Sequence, residues 1–229
     1  MAENITKRNA DVVFCIDGTG SMVPVIENVK EGAVRFHQDL INALVDIGSD
    51  IDSVRVRVIV FRDYEDDGKD SMVESPFFEL PLDNDLFRSW LDGITASGGG
   101  DAPENGLESL YYAFKSDWNV GAKDRQVTVL FTDADALPLK SRASSPDYPE
   151  DMVDLDGLIN VWNCAVQDPS IKLQKRNKRL VIFAPKGTFY EELAGMLPGS
   201  IFKAVESGRG LNDVDFNEIV KLVAASVGR

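Results

Sequence analysis

Histidine and cysteine, the side chains that bind zinc and other soft metals, are scarce in this sequence. The 229 residues contain one histidine, His37, and two cysteines, Cys15 and Cys164. His37 has no second histidine with which to form a metal or catalytic pair. Both cysteines lie in segments of regular apolar periodicity, which favours buried thiols over the disulfide framework of small secreted domains.

Long apolar runs are also missing. No segment approaches the roughly 20 consecutive apolar residues that a membrane-spanning helix needs. Residues 1–11 are polar and mixed in charge, unlike a secretory signal. We therefore expect a cytoplasmic protein that does not enter a membrane.

Basic residues are in the minority. The chain has 24 Lys and Arg residues against 38 Asp and Glu residues, a formal net charge of −14. Duplex nucleic acid and anionic membranes bind basic surfaces, so this balance argues against both as the main partner. It favours cations or basic surfaces instead.

The pattern of apolar residues predicts one α/β domain over residues 1–229, with a polar extension at 1–10. Hydrophobic residues make up 44% of the chain, enough for a large core. Amphipathic segments with a period of about 3.6 residues separate short runs rich in Val and Ile, which is typical of a mostly parallel sheet with helices on both faces. These runs are Val12–Ile16, Val54–Phe61, Val127–Phe131 and Leu180–Ala184.

Other elements complete this arrangement. A long first helix is expected after Pro24, ending near Gly48. The run Phe77–Leu82 follows the second strand too closely for a helical crossover, so it is predicted to be one antiparallel edge strand. Further helices are predicted at Leu86–Ile94, Met152–Val166 and Val214–Ala225, and a last strand at Ile201–Val205.

The first strand ends in a turn that carries three oxygen side chains at alternate positions. Asp17, Thr19 and Ser21 follow the apolar run directly and precede the first helix. In open α/β sheets, ligands bind at this junction, outside the carboxyl ends of the strands. The turn is therefore a candidate ligand site.

A glycine-rich segment, Gly98–Glu104, supplies two more carboxylates. Asp101 and Glu104 precede an apolar pattern of helical spacing that starts at Leu107. They are candidate ligands, but a second interpretation needs no ligand. Asp101 could cap the helix, with Pro103 in the first turn and Glu104 completing a capping box.

The run Val127–Phe131 ends in Thr132-Asp133, which places a further carboxylate at the end of a central strand. All the side chains collected at this edge of the sheet are hard oxygen donors. Such a set suits Mg²⁺, Mn²⁺ or Ca²⁺ rather than zinc, and a site made mainly of hydroxyls and carboxylates suits octahedral Mg²⁺.

Together these motifs resemble the von Willebrand factor A domain with its metal-ion-dependent adhesion site, over nearly the whole chain. The resemblance implies a three-layer, Rossmann-like fold and a single bound metal, with these candidate ligands: Asp17, Thr19, Ser21, Asp101, Glu104 and Asp133. Asp101 stands where many relatives have threonine. Integrin β domains have a similar Asp-x-Pro-Glu run, whose glutamate reaches the metal. The resemblance therefore implies that either Glu104 or Asp101 is the direct ligand.

The motifs also indicate which members of the family the chain resembles most. The Arg62-Asp63-Tyr64 segment after the second strand, together with the motifs above, is most similar to intracellular and bacterial members of the family. This similarity does not identify a partner.

Three functions are consistent with such a site. The first is a non-enzymatic binding module whose metal accepts an Asp or Glu side chain from a protein partner. The second is a structural domain whose metal only fixes the loops. The third is a phosphatase of the haloacid dehalogenase type, because Cys15–Thr19 is similar to its Asp-x-Asp-Gly-Thr motif; Cys15, however, stands where that chemistry needs a nucleophilic carboxylate.

Overall fold

A seven-stranded sheet forms the middle layer of the molecule. The computed structural model describes residues 9–49, 51–98, 103–206 and 216–228. Its strands are β1 (Asn9–Asp17), β2 (Ser53–Phe61), β3 (Met72–Glu74), β4 (Phe78–Leu80), β5 (Arg125–Phe131), β6 (Lys178–Pro185) and β7 (Ser200–Val205). Its helices are α1 (Val23–Asp46), α2 (Asn84–Asp92), α3 (Gly106–Phe114), α4 (Leu155–Trp162), α5 (Phe189–Met196) and α6 (Phe216–Val227).

The five long strands are parallel, as the apolar runs predict. Their order across the sheet is β2-β1-β5-β6-β7, and β3 and β4 pair antiparallel with the outer side of β2. Strands β2, β3 and β4 therefore lie on one side of β1 within the sheet, and β5, β6 and β7 lie on the other side. This reversal places a topological switch point between β1 and β5.

The antiparallel edge predicted as one strand, Phe77–Leu82, consists of two short pieces. β4 confirms the predicted pairing, whereas β3 was not predicted because three residues are too few to show an alternating pattern. Between the two pieces, the Ser75 hydroxyl accepts a hydrogen bond of 2.9 Å from the Val58 amide. The next residue, Pro76, has no amide hydrogen with which to continue the ladder.

Both faces of the sheet are covered, which confirms the three-layer arrangement. Along β1, Val12 and Phe14 face the core beneath α1, α2 and α6, while Val13 and Cys15 face the core beneath α3, α4 and α5. This alternation follows from the period of two in a strand. Phe14 packs edge-on against Phe36 of α1, with ring centroids 5.5 Å apart.

The long first helix is confirmed, with Pro24 in its first turn. Helix α2 overlaps its predicted range, Leu86–Ile94, but begins and ends two residues earlier. Helix α4 lies inside its predicted range, Met152–Val166, and is shorter than predicted. Helix α5 was not predicted, and only two of its eight residues, Tyr190 and Leu193, are buried. The described part of α6 confirms the last predicted helix, while residues 214 and 215 lie outside the described chain. None of the described helices is both long and apolar enough to span a bilayer.

The alternative interpretation of Asp101 and Glu104 as a capping box is wrong. Helix α3 begins at Gly106, with Asn105 as the residue before it. Glu104 therefore precedes the helix and pairs instead with Ala136 in an isolated parallel bridge. Pro103 likewise lies before the first turn.

The two thiols are free, and they differ in burial. Cys15 is fully buried in β1, and burial raises the pKa of its thiol to about 12. Cys164 was predicted to be a buried residue of a helix. It lies in the turn that follows α4, with φ of 54°, and is half-buried.

Candidate metal site at the carboxyl edge of the sheet

Strand register brings the ends of three strands to the same level. Asp17 of β1 pairs with Phe61 of β2, and Ile16 pairs with Phe131 of β5. The residues that follow these strands, among them Arg62 and Thr132, therefore leave the sheet together at the switch point. This is the edge at which the sequence predicts a ligand site.

Asp17 is fully buried, and three hydrogen bonds fix its carboxylate. Oδ1 accepts from the amide of Thr19 at 3.0 Å and from its hydroxyl at 2.6 Å, and Oδ2 accepts from the Thr132 hydroxyl at 2.8 Å. Burial raises the pKa of Asp17 to about 6, although these hydrogen bonds oppose the shift. The carboxylate is thus preset in one orientation.

Ser21 connects this cluster to the loop after β5. Its hydroxyl lies 3.3 Å from the Thr19 hydroxyl and donates to Oδ1 of Asp133 at 3.0 Å. Four predicted ligands therefore form a continuous row of oxygens. Adjacent ligands of octahedral Mg²⁺, with metal–oxygen distances of 2.0–2.1 Å, are about 2.9 Å apart. The spacing of the oxygens in Asp17, Thr19, Ser21 and Asp133 is close to that value.

Glu104 is held against the loop that carries Asp133. Its amide donates to the carbonyl of Asp135 at 3.2 Å, and its carbonyl accepts from the amide of Leu137 at 2.9 Å. Its side chain is 3% exposed, and Oε2 has no hydrogen-bond partner among the described residues. A buried carboxylate oxygen without a donor is a position that a cation can satisfy.

The electrostatics of Glu104 lead to the same conclusion. Burial, followed by repulsion from the carboxylates of Asp17, Asp63 and Asp67, raises its pKa to about 8. Several carboxylates crowded together away from water are costly unless a cation compensates them. The oxygen donors present therefore fit a hard divalent cation.

Asp101 lies outside the described residues, so its place relative to Glu104 stays a prediction. Within the described part of the chain, no group of three or more His, Cys, Asp or Glu side chains is arranged to hold a metal. The predicted ligand set does not depend on such a group, since Thr19 and Ser21 contribute hydroxyls.

Residues 11–205 match the family model of the von Willebrand factor A domain. The chain belongs to this family. Such domains are commonly adhesion or protein-interaction modules. The match covers β1 to β7 and includes every predicted ligand of the metal site.

Solved structures agree on the fold. This von Willebrand factor A domain is similar to the pilus adhesin SpaC from Lactobacillus rhamnosus GG in two crystal structures, with TM-scores of 0.57 and 0.54 and identities of 12% and 13%. Each match covers 98% of this chain but 31% and 30% of the adhesin, so the chain spans about a third of that protein's length. A comparison with curated protein sequences finds no match.

Arg62 joins two of the loops that form the site of this von Willebrand factor A domain. It is 6% exposed, and its guanidinium donates to the carbonyl oxygens of Gly18 at 3.2 Å, Thr95 at 2.8 Å, Ser97 at 2.9 Å and Asp70 at 2.8 Å. The planar group can donate in several directions at once. It therefore fastens the turn after β1 to the start of the glycine-rich segment.

The close approach of Arg62 explains why residue 18 is glycine. A Cβ at this position would lie 2.5 Å from Cγ1 of Val60 and 2.8 Å from Cζ of Arg62. Both distances are too short for a side chain to fit. The backbone of the first motif can thus lie directly against β2 and its arginine.

The roles of Arg62 and Thr132 were not predicted from the sequence. The segment Arg62-Asp63-Tyr64 was only a point of resemblance, and Thr132 was only part of the dipeptide Thr132-Asp133. One signal could have found both residues, because each is the first polar residue after a buried strand and so lies at the ligand-binding edge.

The long loop after β5 is fixed to the rest of the site by side-chain contacts. Arg142 donates to both oxygens of the buried Asp63 at 2.6–3.0 Å and forms an ion pair with Glu65. Tyr148 accepts from the amide of Lys140 and donates to Oε1 of Glu108 in α3, both at 2.8 Å. The loop is therefore a firm wall beside the candidate site.

Proposed function

We propose that this von Willebrand factor A domain is a non-enzymatic protein-binding module in which a divalent cation accepts an Asp or Glu side chain from a protein partner. The observation that carries this proposal is the row of oxygens from Asp17 through Thr19 and Ser21 to Asp133, spaced like neighbouring ligands of one cation. Ser21 is exposed, so a partner can reach this row from solvent.

The proposed ligands come from three segments of the chain. Asp17, Thr19, Ser21 and Asp133 would hold Mg²⁺, with Mn²⁺ and Ca²⁺ as other hard cations that suit oxygen ligands. Glu104 or Asp101 would add a further carboxylate. When bound, the ion supplies positive charge and an open coordination position for a partner's carboxylate, and each extra anionic ligand weakens its attraction for that group.

Phosphatase chemistry has less support. It needs a carboxylate nucleophile at the position of Cys15. The Cys15 thiol lies in the core beneath α3, its hydrogen bond goes to the Ser109 carbonyl, and its burial keeps it protonated. Magnesium-dependent hydrolysis of a general phosphate ester, lost in Asp17→Asn, would favour this alternative.

A structural role for the ion is the remaining alternative. In that case Mg²⁺ would raise the melting temperature by linkage, because it binds only the folded chain. Substitutions of exposed residues around the site would then leave partner binding intact.

The test is recovery of bound proteins on the immobilised chain, first in Mg²⁺ and then in a chelator, repeated with Asp17→Ala. A matched control is Asp46→Ala, which removes an exposed carboxylate at the end of α1. The proposal predicts a partner that is retained in Mg²⁺ by the wild type and the control, and is released by chelation and by Asp17→Ala. Binding that neither change affects refutes it.

A further inference from the structure

An apolar pocket opens beside the candidate metal site. Its volume is about 300 Å³, and all the side chains that line it are apolar: Leu107, Ala136, Pro138, Leu139, Leu155 and Phe189. Three of these lie in the first turns of helices α3, α4 and α5. Helices that follow parallel strands begin at the carboxyl edge of the sheet, so the pocket lies at the same edge as the metal site.

The pocket and the candidate site share two chain segments. Ala136 follows Asp133 by three residues, and Leu107 follows Glu104 by three residues. A chain of three residues reaches at most about 10 Å. The bridge between Glu104 and Ala136 also ties the two segments to each other. One wall of the pocket is therefore continuous with the proposed ligands.

Hydrogen bonds hold the pocket open before any ligand arrives. Oδ1 of Asp135 accepts from the amide of Ala136 at 2.7 Å and from the amide of Phe189 at 2.8 Å. On the far side, the Tyr148 hydroxyl accepts from the amide of Lys140, next to the lining residue Leu139. A preformed pocket binds an apolar group without the cost of ordering its walls.

We propose that the partner segment that supplies the carboxylate also inserts one large apolar side chain, such as Phe, into this pocket. This inference rests on the proposed function. Extended chain advances about 3.3 Å per residue, so a separation of at most about 10 Å places the apolar side chain within about three residues of the acidic one. The volume, at the small end of ligand pockets, suits a single side chain.

The experiment uses short Gly-Ser peptides that contain one Asp, with Phe within about three residues of it on either side, about six residues away, or replaced by Ser. Binding in Mg²⁺ is followed through the methyl NMR signals of Leu107, Leu139 and Leu155, which line the pocket. Phe at the predicted spacing should bind about tenfold to hundredfold more tightly than Ser, and should shift these methyl signals.

Two variants locate the effect. Leu155→Trp fills the pocket, and Leu86→Trp places the same side chain on the exposed surface of α2. The advantage of Phe should vanish in Leu155→Trp and persist in Leu86→Trp. A Mg²⁺-induced rise in melting temperature equal to that of the wild type establishes that Leu155→Trp is folded with an intact metal site.

The outcomes separate the two proposals. If Asp peptides bind in a Mg²⁺-dependent way but equally well with Phe or Ser, the pocket proposal is overturned and the proposed function stands. A Phe advantage that survives in Leu155→Trp overturns the pocket proposal as well. If the chain binds Mg²⁺ and no Asp peptide binds, both proposals are overturned.

Discussion

The hydroxyl of Thr132 donates a hydrogen bond of 2.8 Å to Oδ2 of Asp17 on the neighbouring strand. Thr19 occupies Oδ1 of the same carboxylate, so both oxygens are held from within the chain. The orientation of Asp17 is therefore set by the sheet and its first turn. Because the Asp17 side chain is already held in one orientation, it loses little conformational entropy when a cation binds.

Replacing Thr132 with Val keeps the shape of the side chain and removes this hydrogen bond, together with the one that the Thr132 hydroxyl accepts from the Ala134 amide at 3.1 Å. The buried carboxylate of Asp17 then loses a donor, and we expect the free energy of unfolding to fall by about 1–3 kcal/mol in urea denaturation. The matched control is Thr128→Val in β5, the strand that ends directly before Thr132, since the buried Thr128 hydroxyl has no hydrogen-bond partner among the described residues. Equal losses in the two variants would contradict this role for Thr132.

Arg62→Lys tests the fastening of the two loops. Lysine keeps the charge but cannot donate to four separated carbonyls as the guanidinium does. We expect Mg²⁺ affinity to fall about 10-fold to 100-fold, the usual effect of removing a group that orients metal ligands. Arg88→Lys, on the exposed surface of α2, should leave the affinity unchanged. Unaltered Mg²⁺ binding in Arg62→Lys would show that the arginine does not organise the site.

The effects of substitutions at Gly106 and Tyr190 on stability should be coupled. A Cβ on Gly106 would lie 2.0 Å from the Tyr190 hydroxyl oxygen, which is buried without a hydrogen-bond partner among the described residues. Gly106→Ala should therefore destabilise the fold by about 1–3 kcal/mol. Tyr190→Phe should cost little by itself and recover part of that loss in the double variant. If the changes in unfolding free energy of the two single variants simply add in the double variant, the contact is contradicted.

Lys178 should make stability depend on pH. It is 3% exposed, with Nζ 3.7 Å from the centre of the Trp162 ring, and burial lowers its pKa from 10.5 to about 8. The unfolded chain thus binds more protons between these pH values, so this lysine adds to the free energy of unfolding as pH rises from 8 to 10.5.

The measurement is the difference in unfolding free energy between wild type and Lys178→Met across that pH range. It should shift in favour of the wild type as pH rises, whereas Lys175→Met, at an exposed position, should show no such trend. A difference that stays constant with pH would mean that Lys178 keeps an ordinary pKa.

Most of the fold could be predicted because three central strands, β1, β5 and β6, are buried on both faces, and amphipathic helices separate the strands. Such strands are continuous apolar runs, and α1 is long enough to show its period over many turns. The misses are short elements. β3 has three residues, too few to show an alternating pattern, and α5 buries only Tyr190 and Leu193, so tertiary contacts rather than periodicity specify both elements.

The site was predictable to the extent that its residues follow strand ends. Asp17 and Asp133 could be placed together because parallel strands end at one edge. Glu104 was harder to place, since its spacing also matched a capping box, and only the start of α3 at Gly106 separates the two interpretations. Arg62 and Thr132 could have been placed at this edge from their positions after buried strands, but their hydrogen-bond partners are distant in sequence, so no local pattern shows which groups they hold.

The most direct test of the account is equilibrium binding of Mg²⁺ to the wild type and to Asp17→Asn by isothermal titration calorimetry. The Asn side chain keeps the volume of Asp17 and removes its charge, and Asp46→Asn is the exposed control. We predict one saturable site in the wild type and the control, and none in Asp17→Asn. Wild-type protein without a saturable site, or binding that Asp17→Asn leaves unchanged, would contradict the account.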